Sequence, residues 1–149
     1  MSAEQVFSIS NSVALAGWLI LIFTGRKRWS AGLVTGAILP LLLAVLYGGL
    51  VAVNWAGSEG GFGTLAEVSK LFSNQWLLLA GWMHYLAFDL FIGSWEVRDA
   101  QSHGIPHLVV IPCLILTFLF GPIGLLLYFL IRLVRVRSLR ISQNTDIRE

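Results

Sequence analysis

The chain has 149 residues, 56% of them hydrophobic and 12% charged, with a formal net charge of +2 at pH 7 and a mean hydropathy of +0.78. Soluble domains carry about 25% charged residues, so these proportions exclude an ordinary soluble globular domain and point to a polytopic membrane protein. The basic residues stand in two short groups beside apolar segments, Arg26-Lys27-Arg28 and Arg132, Arg135, Arg137 and Arg140. That is the placement of headgroup anchors and topology signals, not of a nucleic-acid surface.

Residues 6–25, 31–58, 71–88 and 104–131 contain no Asp, Glu, Lys or Arg, and each stretch reaches the roughly 18 to 20 residues that a ~30 Å hydrocarbon layer demands of a helix. Lipid offers the backbone no hydrogen-bond partners and the chain shows no alternating barrel pattern, so helices are the expected spanning structure. They are predicted at 5–24, 31–54, 73–95 and 105–131. The fold class is thus all-α, a bundle of four transmembrane helices forming a single domain over 1–140, followed by a polar tail at 141–149 expected to be disordered. The short connection at 26–30 makes the first two helices an antiparallel hairpin. The longer connection at 55–72 begins Gly-rich, and its second half reads as a short interfacial helix capped by Thr64 with Glu67 three residues on. Five of the six tryptophans fall near predicted segment ends, as amphipathic indoles prefer. Trp82 does not, and is expected inside the bundle or against a ligand. Cys113 stands alone within an apolar run, so an intrachain disulfide is impossible.

Four crossings put Arg26, Lys27, Arg28 and Arg98 on one face of the membrane and Lys70 with the final arginines on the other, leaving the positive-inside rule undecided. A reversal at Gly121-Pro122 is the alternative. It gives five spans and unites the basic groups, but leaves two halves of only about 16 residues, short for a 1.5 Å rise. Four spans is the expectation on that ground.

An ionisable side chain at membrane depth is a functional hypothesis by default. His84 and Asp89 lie in the third segment, roughly 140° apart around the helix. Asp89 shares a face with Trp82, Tyr85 and Glu96, and His84 with Phe88, Phe91 and Trp95. Between 84 and 107 stand three carboxylates, Asp89, Glu96 and Asp99, and three histidines, His84, His103 and His107. A hairpin of the third and fourth segments would bring Asp89, Glu96, Asp99 and His107 toward one mouth, with His84 deeper. Mixed oxygen and imidazole donors of this kind suit non-haem iron, zinc or manganese. Against this, Glu96 and His103 also read as a solvated loop, Asp99 as a partner of Arg98 or Arg26, and His84 and Asp89 as structural interhelix hydrogen bonds. The chain has no HExxH, paired CxxC, Walker loop, GxSxG or GxGxxG motif.

The run Gly81-Trp82-Met83-His84-Tyr85-Leu86-Ala87-Phe88-Asp89-Leu90-Phe91, with Trp95, Asp99-Ala100, Ile105-Pro106-His107 and Phe120-Gly121-Pro122-Ile123-Gly124-Leu125-Leu126-Leu127-Tyr128, resembles the abscisic-acid-deficient-4-like, or neoxanthin synthase-like, family of small integral membrane proteins. The plant members of that family are required for neoxanthin formation from violaxanthin. The resemblance implies a membrane-embedded enzyme that modifies a carotenoid or related isoprenoid. Its reaction would be isomerisation, or metal-assisted oxidation or cleavage of the polyene with iron or zinc. It carries the catalytic role, and the ligand role if a metal is present, onto His84, Asp89, Asp99 and His107, and the lining of the polyene path onto Trp82, Tyr85 and Trp95. Its alternatives are a non-catalytic carotenoid- or lipid-binding partner of another membrane enzyme, and a proton-coupled carrier, which the lack of an inverted repeat disfavours. The expected location is a bacterial inner membrane or a thylakoid-like membrane, with homo-oligomerisation left open.

Overall fold

Ser2 opens the first helix, α1 (Ala3–Thr24), with a reciprocal cap. The Gln5 N–H donates to Ser2 Oγ at 3.3 Å and the Ser2 N–H to Gln5 Oε1 at 2.9 Å, which satisfies two donors the first turn leaves free. The computed structural model describes residues 1–27 and 29–139, and these contain helices and connections only. Arg28, Arg140 and the tail expected at 141–149 lie outside the described residues.

The second helix, α2 (Ser30–Asn54), begins with wide π-type turns over Ser30–Ile38, in which the Leu39 N–H reaches back five residues to Val34 O. Pro40 accounts for the widening: it has no N–H to offer the ordinary i−4 carbonyl, and its ring crowds that position. The short α3 (Leu65–Leu71) is capped by Thr64, whose Oγ1 accepts the Glu67 N–H at 3.2 Å. Glu67 itself reaches one residue past the cap and accepts the Gly63 N–H at 3.0 Å.

Asn74 starts α4 (Gln75–Ser102), which runs seven residues beyond the end expected at 95. The extension has a physical cause, because Glu96 and Asp99 are buried in the bundle and find partners there, so the chain has no reason to unwind into a solvated loop. The largest correction follows. The single helix expected over 105–131 is two, α5 (His107–Phe120) and α6 (Pro122–Val136). They reverse at Gly121, whose φ of +52° and ψ of −101° are open to glycine and not to residues with a Cβ. Pro122 then starts α6, where a missing N–H does no harm.

Helix α4 is the hub, packing against α1, α2, α5 and α6. One apolar cluster, built on Trp18, Leu21, Leu90, Val97 and Leu114, fills the half of the bundle that the hairpin covers. Another, with Leu43, Leu79, Met83 and Leu86, fills the opposite half between α1, α2 and α4. Trp18, expected near a segment end, is buried against Gly93, where an added Cβ would lie 2.6 Å from the indole.

Among the described residues, α1, α2 and α4 are long and apolar enough to cross a membrane, at 22, 25 and 28 residues. The α5–α6 hairpin, with arms of 14 and 15 residues, rises only about 21 to 23 Å. It covers α4 from Tyr85, whose hydroxyl donates to Phe118 O, to His103, which meets Arg132. The reversal also brings both basic groups to one end. Gln101 Nε2 donates to Gly25 O beside Arg26 at 2.6 Å, and Arg132 sits on Asp99. At the other end Lys70 pairs with exposed Glu59 at 2.7 Å, which holds that carboxyl below its ordinary value.

Candidate functional site: the buried polar face of α4

Positions 85, 89, 96, 99 and 103 fall within an arc of roughly 80° on α4 at 100° per residue, and this arc is the one the hairpin covers. Tyr85 donates through its hydroxyl to Phe118 O at 3.0 Å. Asp89 lies under the tip of the hairpin, where a Cβ added at Gly121 would stand 3.2 Å from both carboxylate oxygens. Its Oδ2 is buried and has no hydrogen-bond partner among the described residues. Two turns further on, Glu96 is 0% exposed. Thr117 Oγ1 donates to its Oε1 at 3.1 Å, and Oε2 is buried without a partner among the described residues. A buried polar atom without a hydrogen bond is expensive, so two such oxygens on one helix face mark this seam as more than packing.

Toward the basic end the face closes in a satisfied knot. Asp99 Oδ2 accepts the Tyr128 hydroxyl at 2.6 Å and Arg132 Nε at 2.7 Å. Arg132, 0% exposed, also donates from Nη1 to Ser138 O and from Nη2 to His103 Nε2 at 3.2 Å. That contact suits the tautomer with its proton on Nδ1, which donates to Asp99 O at 2.8 Å. The alternative readings of the sequence paired Asp99 with Arg98 or Arg26 and left Glu96 and His103 solvated. The structure gives Asp99 to Arg132 instead, buries Glu96 completely, and ties His103 into the same knot.

The four residues expected to share the chemistry are dispersed. Asp89 and Asp99 lie on the covered face, but ten residues apart, a rise of about 15 Å. His84 is exposed on another flank, stacked on Phe88 with ring centroids 4.5 Å apart and 5.7 Å from Tyr47. There it borders a cavity of 290 Å³ walled by Trp55, Phe62 and Phe72. His107 Nε2 donates to Ile22 O at 2.8 Å and fastens the start of α5 to α1. Among the described residues no three His, Cys, Asp or Glu side chains come together as one metal ion requires. The set His84, Asp89, Asp99 and His107 therefore does not fit iron or zinc.

Of the aromatic residues expected along the polyene path, Trp82 and Tyr85 are neighbours with centroids 5.2 Å apart, and Phe7 lies 5.7 Å from Trp82 on the other side. Trp82 is 40% exposed, held by its Nε1 donating to Asn11 Oδ1 at 2.7 Å. Phe7 and Trp82 of this ladder line a groove of 390 Å³ between α1 and α4, together with Ala3, Glu4, Gln75, Leu78 and Leu79; Tyr85 is not part of its wall. Trp95 instead packs on Tyr128 and Phe129 of α6, away from the other two.

Sequence reasoning missed Thr117, Tyr128 and Arg132 as members of the site. Their signal lay in the Gly121-Pro122 reversal: with a continuous fourth helix Arg132 leaves for the opposite membrane face, whereas with a hairpin it returns to Asp99.

A family model described as ABA DEFICIENT 4-like matches residues 5–128. The polar face from Tyr85 to Tyr128 lies within that stretch, and Arg132 just beyond it. A curated relative, "Protein ABA DEFICIENT 4, chloroplastic" of Arabidopsis thaliana, is 23% identical over 142 residues, which cover 89% of this chain. The chain spans 62% of that relative's length. No solved structure matches the chain. The family match covers most of the chain and contains both orphaned carboxylates; the chain belongs to the ABA DEFICIENT 4-like family.

Proposed function

We propose that the chain is a membrane-embedded enzyme that modifies a carotenoid or related isoprenoid by acid–base isomerisation, as plant members of its family are required for neoxanthin formation. The observation that carries this reading is Asp89: a carboxylate with a buried, unpartnered oxygen, at the midpoint of α4, where the ladder Phe7–Trp82–Tyr85 ends. A polyene is apolar and rigid, and a groove with aromatic walls and a few polar groups is the kind of site that holds one; the groove at Phe7 and Trp82 lies about one turn of α4 from Tyr85 and two from Asp89. Family membership, shown by the match over residues 5–128, supports the substrate class.

In this reading Tyr85 and Asp89, one turn apart on the same face, serve the two ends of a proton transfer. Opening an epoxide to an allenic alcohol moves one proton onto the ring oxygen and takes one from carbon, with no net change in atoms or electrons. The hydroxyl of Tyr85 and the carboxyl of Asp89 are a donor and an acceptor within one turn of helix, and general acid–base groups contribute about 10²- to 10⁴-fold. Asp99 holds the hairpin closed over the site, His107 holds α5 to α1, and His84 faces the aromatic cavity on the α2 side. Glu96 is the second buried acid of the same seam.

The membrane arrangement proposed with it has α1, α2 and α4 crossing and the α5–α6 hairpin entering only to the level of Asp89 before returning. The described basic residues Arg26, Lys27, Arg98, Arg132, Arg135 and Arg137 then share one side, which the positive-inside rule places in the cytoplasm or its plastid equivalent.

The test is the pigment extracted from a carotenoid-making host with and without the chain. A changed carotenoid is expected, its yield falling about 10²-fold or more in Asp89→Asn and staying unchanged in Glu59→Ala. A pigment that binds and co-purifies unaltered overturns the enzyme reading in favour of a carrier that presents substrate to another enzyme.

A further inference from the structure

At the basic end a cavity of 490 Å³ opens between the end of α1 and the α4–α5 turn, well apart from Asp89. Its polar wall is Arg26, Gln101 and His107, and its apolar wall is Val97, Ile105 and Leu108. Two hydrogen bonds fix its shape. Gln101 Nε2 donates to Gly25 O at 2.6 Å and His107 Nε2 to Ile22 O at 2.8 Å, so α1, α4 and α5 are tied together around it. Gly25 allows the close approach, since a Cβ there would lie 2.8 Å from the His107 ring.

The charge in this cavity is uncompensated. Arg26 is exposed and makes no ion pair among the described residues. Asp99, the carboxylate of this end, is already taken by Arg132, Tyr128 and His103. Beside the cation stands a wall that free phosphate would have no use for: Leu108 is 79% exposed and continues the apolar surface of α5 downward, where lipid tails lie. A cation at the membrane interface next to an apolar track fits an oxyanion attached to an acyl chain.

We propose that this cavity binds the headgroup of an anionic membrane lipid, with its phosphate or sulfonate oxygens on Arg26 and its acyl chain along Val97, Ile105 and Leu108. The His107 Nδ1 has no protein partner among the described residues and is an acceptor while Nε2 donates to Ile22 O, so it can take a hydrogen bond from a headgroup hydroxyl. The lipid would thereby bridge α1 to the hairpin at the end where His107 already joins them.

The experiment uses the purified full chain in mild detergent, offered equal amounts of phosphatidylglycerol and phosphatidylcholine, with retained lipid counted by native mass spectrometry. One phosphatidylglycerol is expected to be held in preference, and Arg26→Gln to reduce its retention about fivefold, as loss of one interfacial cation predicts. Arg135→Gln removes the same charge from α6 outside the cavity and should change retention by less than about twofold. Leu108→Gln should weaken retention with every charge in place. An equal loss in the Arg26 and Arg135 variants shows diffuse attraction and overturns the site. So does equal retention of both lipids, or displacement of the lipid by millimolar inorganic phosphate. None of these readouts involves a pigment, so the site stands or falls independently of the proposed reaction.

Discussion

Two flanks of α4 meet different neighbours. The flank under the α5–α6 hairpin holds Asp89, Glu96 and Asp99, and there the side chains are either locked in short hydrogen bonds or left with buried oxygens that bond to nothing described. The flank carrying His84 looks toward α2 and the outside, where an imidazole of equal chemical promise is exposed and merely stacks on Phe88. Both lie at similar depth along one helix. What separates them is phase around the axis, and whether a second element arrives to cover that phase.

The comparison breaks most completely if the hairpin does not exist. Because α5 and α6 return to the end from which they start, a cysteine at Trp29 and one at Leu139 should be labelled from the same side of sealed vesicles, whereas a continuous helix over 105–131 puts them on opposite sides. This is an all-or-none readout. A third cysteine at Ile123, by the tip, sharpens it: labelling from the far side means the arms cross fully, and protection from both sides means the hairpin stops at mid-membrane, as arms rising about 21 to 23 Å suggest.

Next in size is the buried ion pair. Arg132→Met leaves Asp99 charged and enclosed with only Tyr128 and His103 beside it, and removing one partner of a buried pair destabilises by about 3 to 5 kcal/mol. Thermal unfolding in detergent should show it. Adding Asp99→Leu should recover most of the loss, since two apolar side chains can replace such a pair with little penalty. The exposed Lys70–Glu59 pair at the opposite end should show no measurable change on Lys70→Ala, because solvent already screens it. If the two pairs respond alike, the covered flank is not dry.

These contrasts show what could be read from the chain. The first three long helices were legible because runs without charge are long and lipid forces helix on them, and Ser2 and Thr64 declared their caps. That Asp89, Tyr85 and Glu96 share a face followed from 100° per residue. The end of α4 was illegible, because Glu96, Arg98, Asp99 and Gln101 read as a solvated loop unless Thr117, Tyr128 and Arg132 are known to return. That return hangs on Gly121-Pro122, a pair that both the reversed and the continuous chain accommodate on hydropathy alone. The gathering of Asp89, Glu96, Asp99 and His107 toward one mouth, with His84 deeper, assumed that neighbours in sequence become neighbours in space, and helix phase instead sends His84 to another flank.

Gly121→Ala tests the reversal locally. A Cβ at positive φ costs roughly 1 to 2 kcal/mol, and here it would also stand 3.2 Å from the Asp89 oxygens. Pigment conversion should therefore fall further than the drop in melting temperature alone explains. A variant with the stability loss but full conversion would detach Asp89 from the hairpin tip.

Among the effects on conversion, the smallest belongs to His84→Ala. Its ring stacks on Phe88 and approaches Tyr47, contacts worth about 0.5 to 1.5 kcal/mol in a buried pair and less on an exposed one. Conversion should stay within about tenfold of the parent, against the 10²-fold or larger loss expected for Asp89→Asn if it is the general acid or base. The ratio of the two variants measures which flank carries the chemistry. Should His84→Ala fall as far as Asp89→Asn, the reacting end of the polyene must lie in the Trp55–Phe62–Phe72 cavity on the α2 side, and the buried carboxylates become the means of holding a hairpin shut.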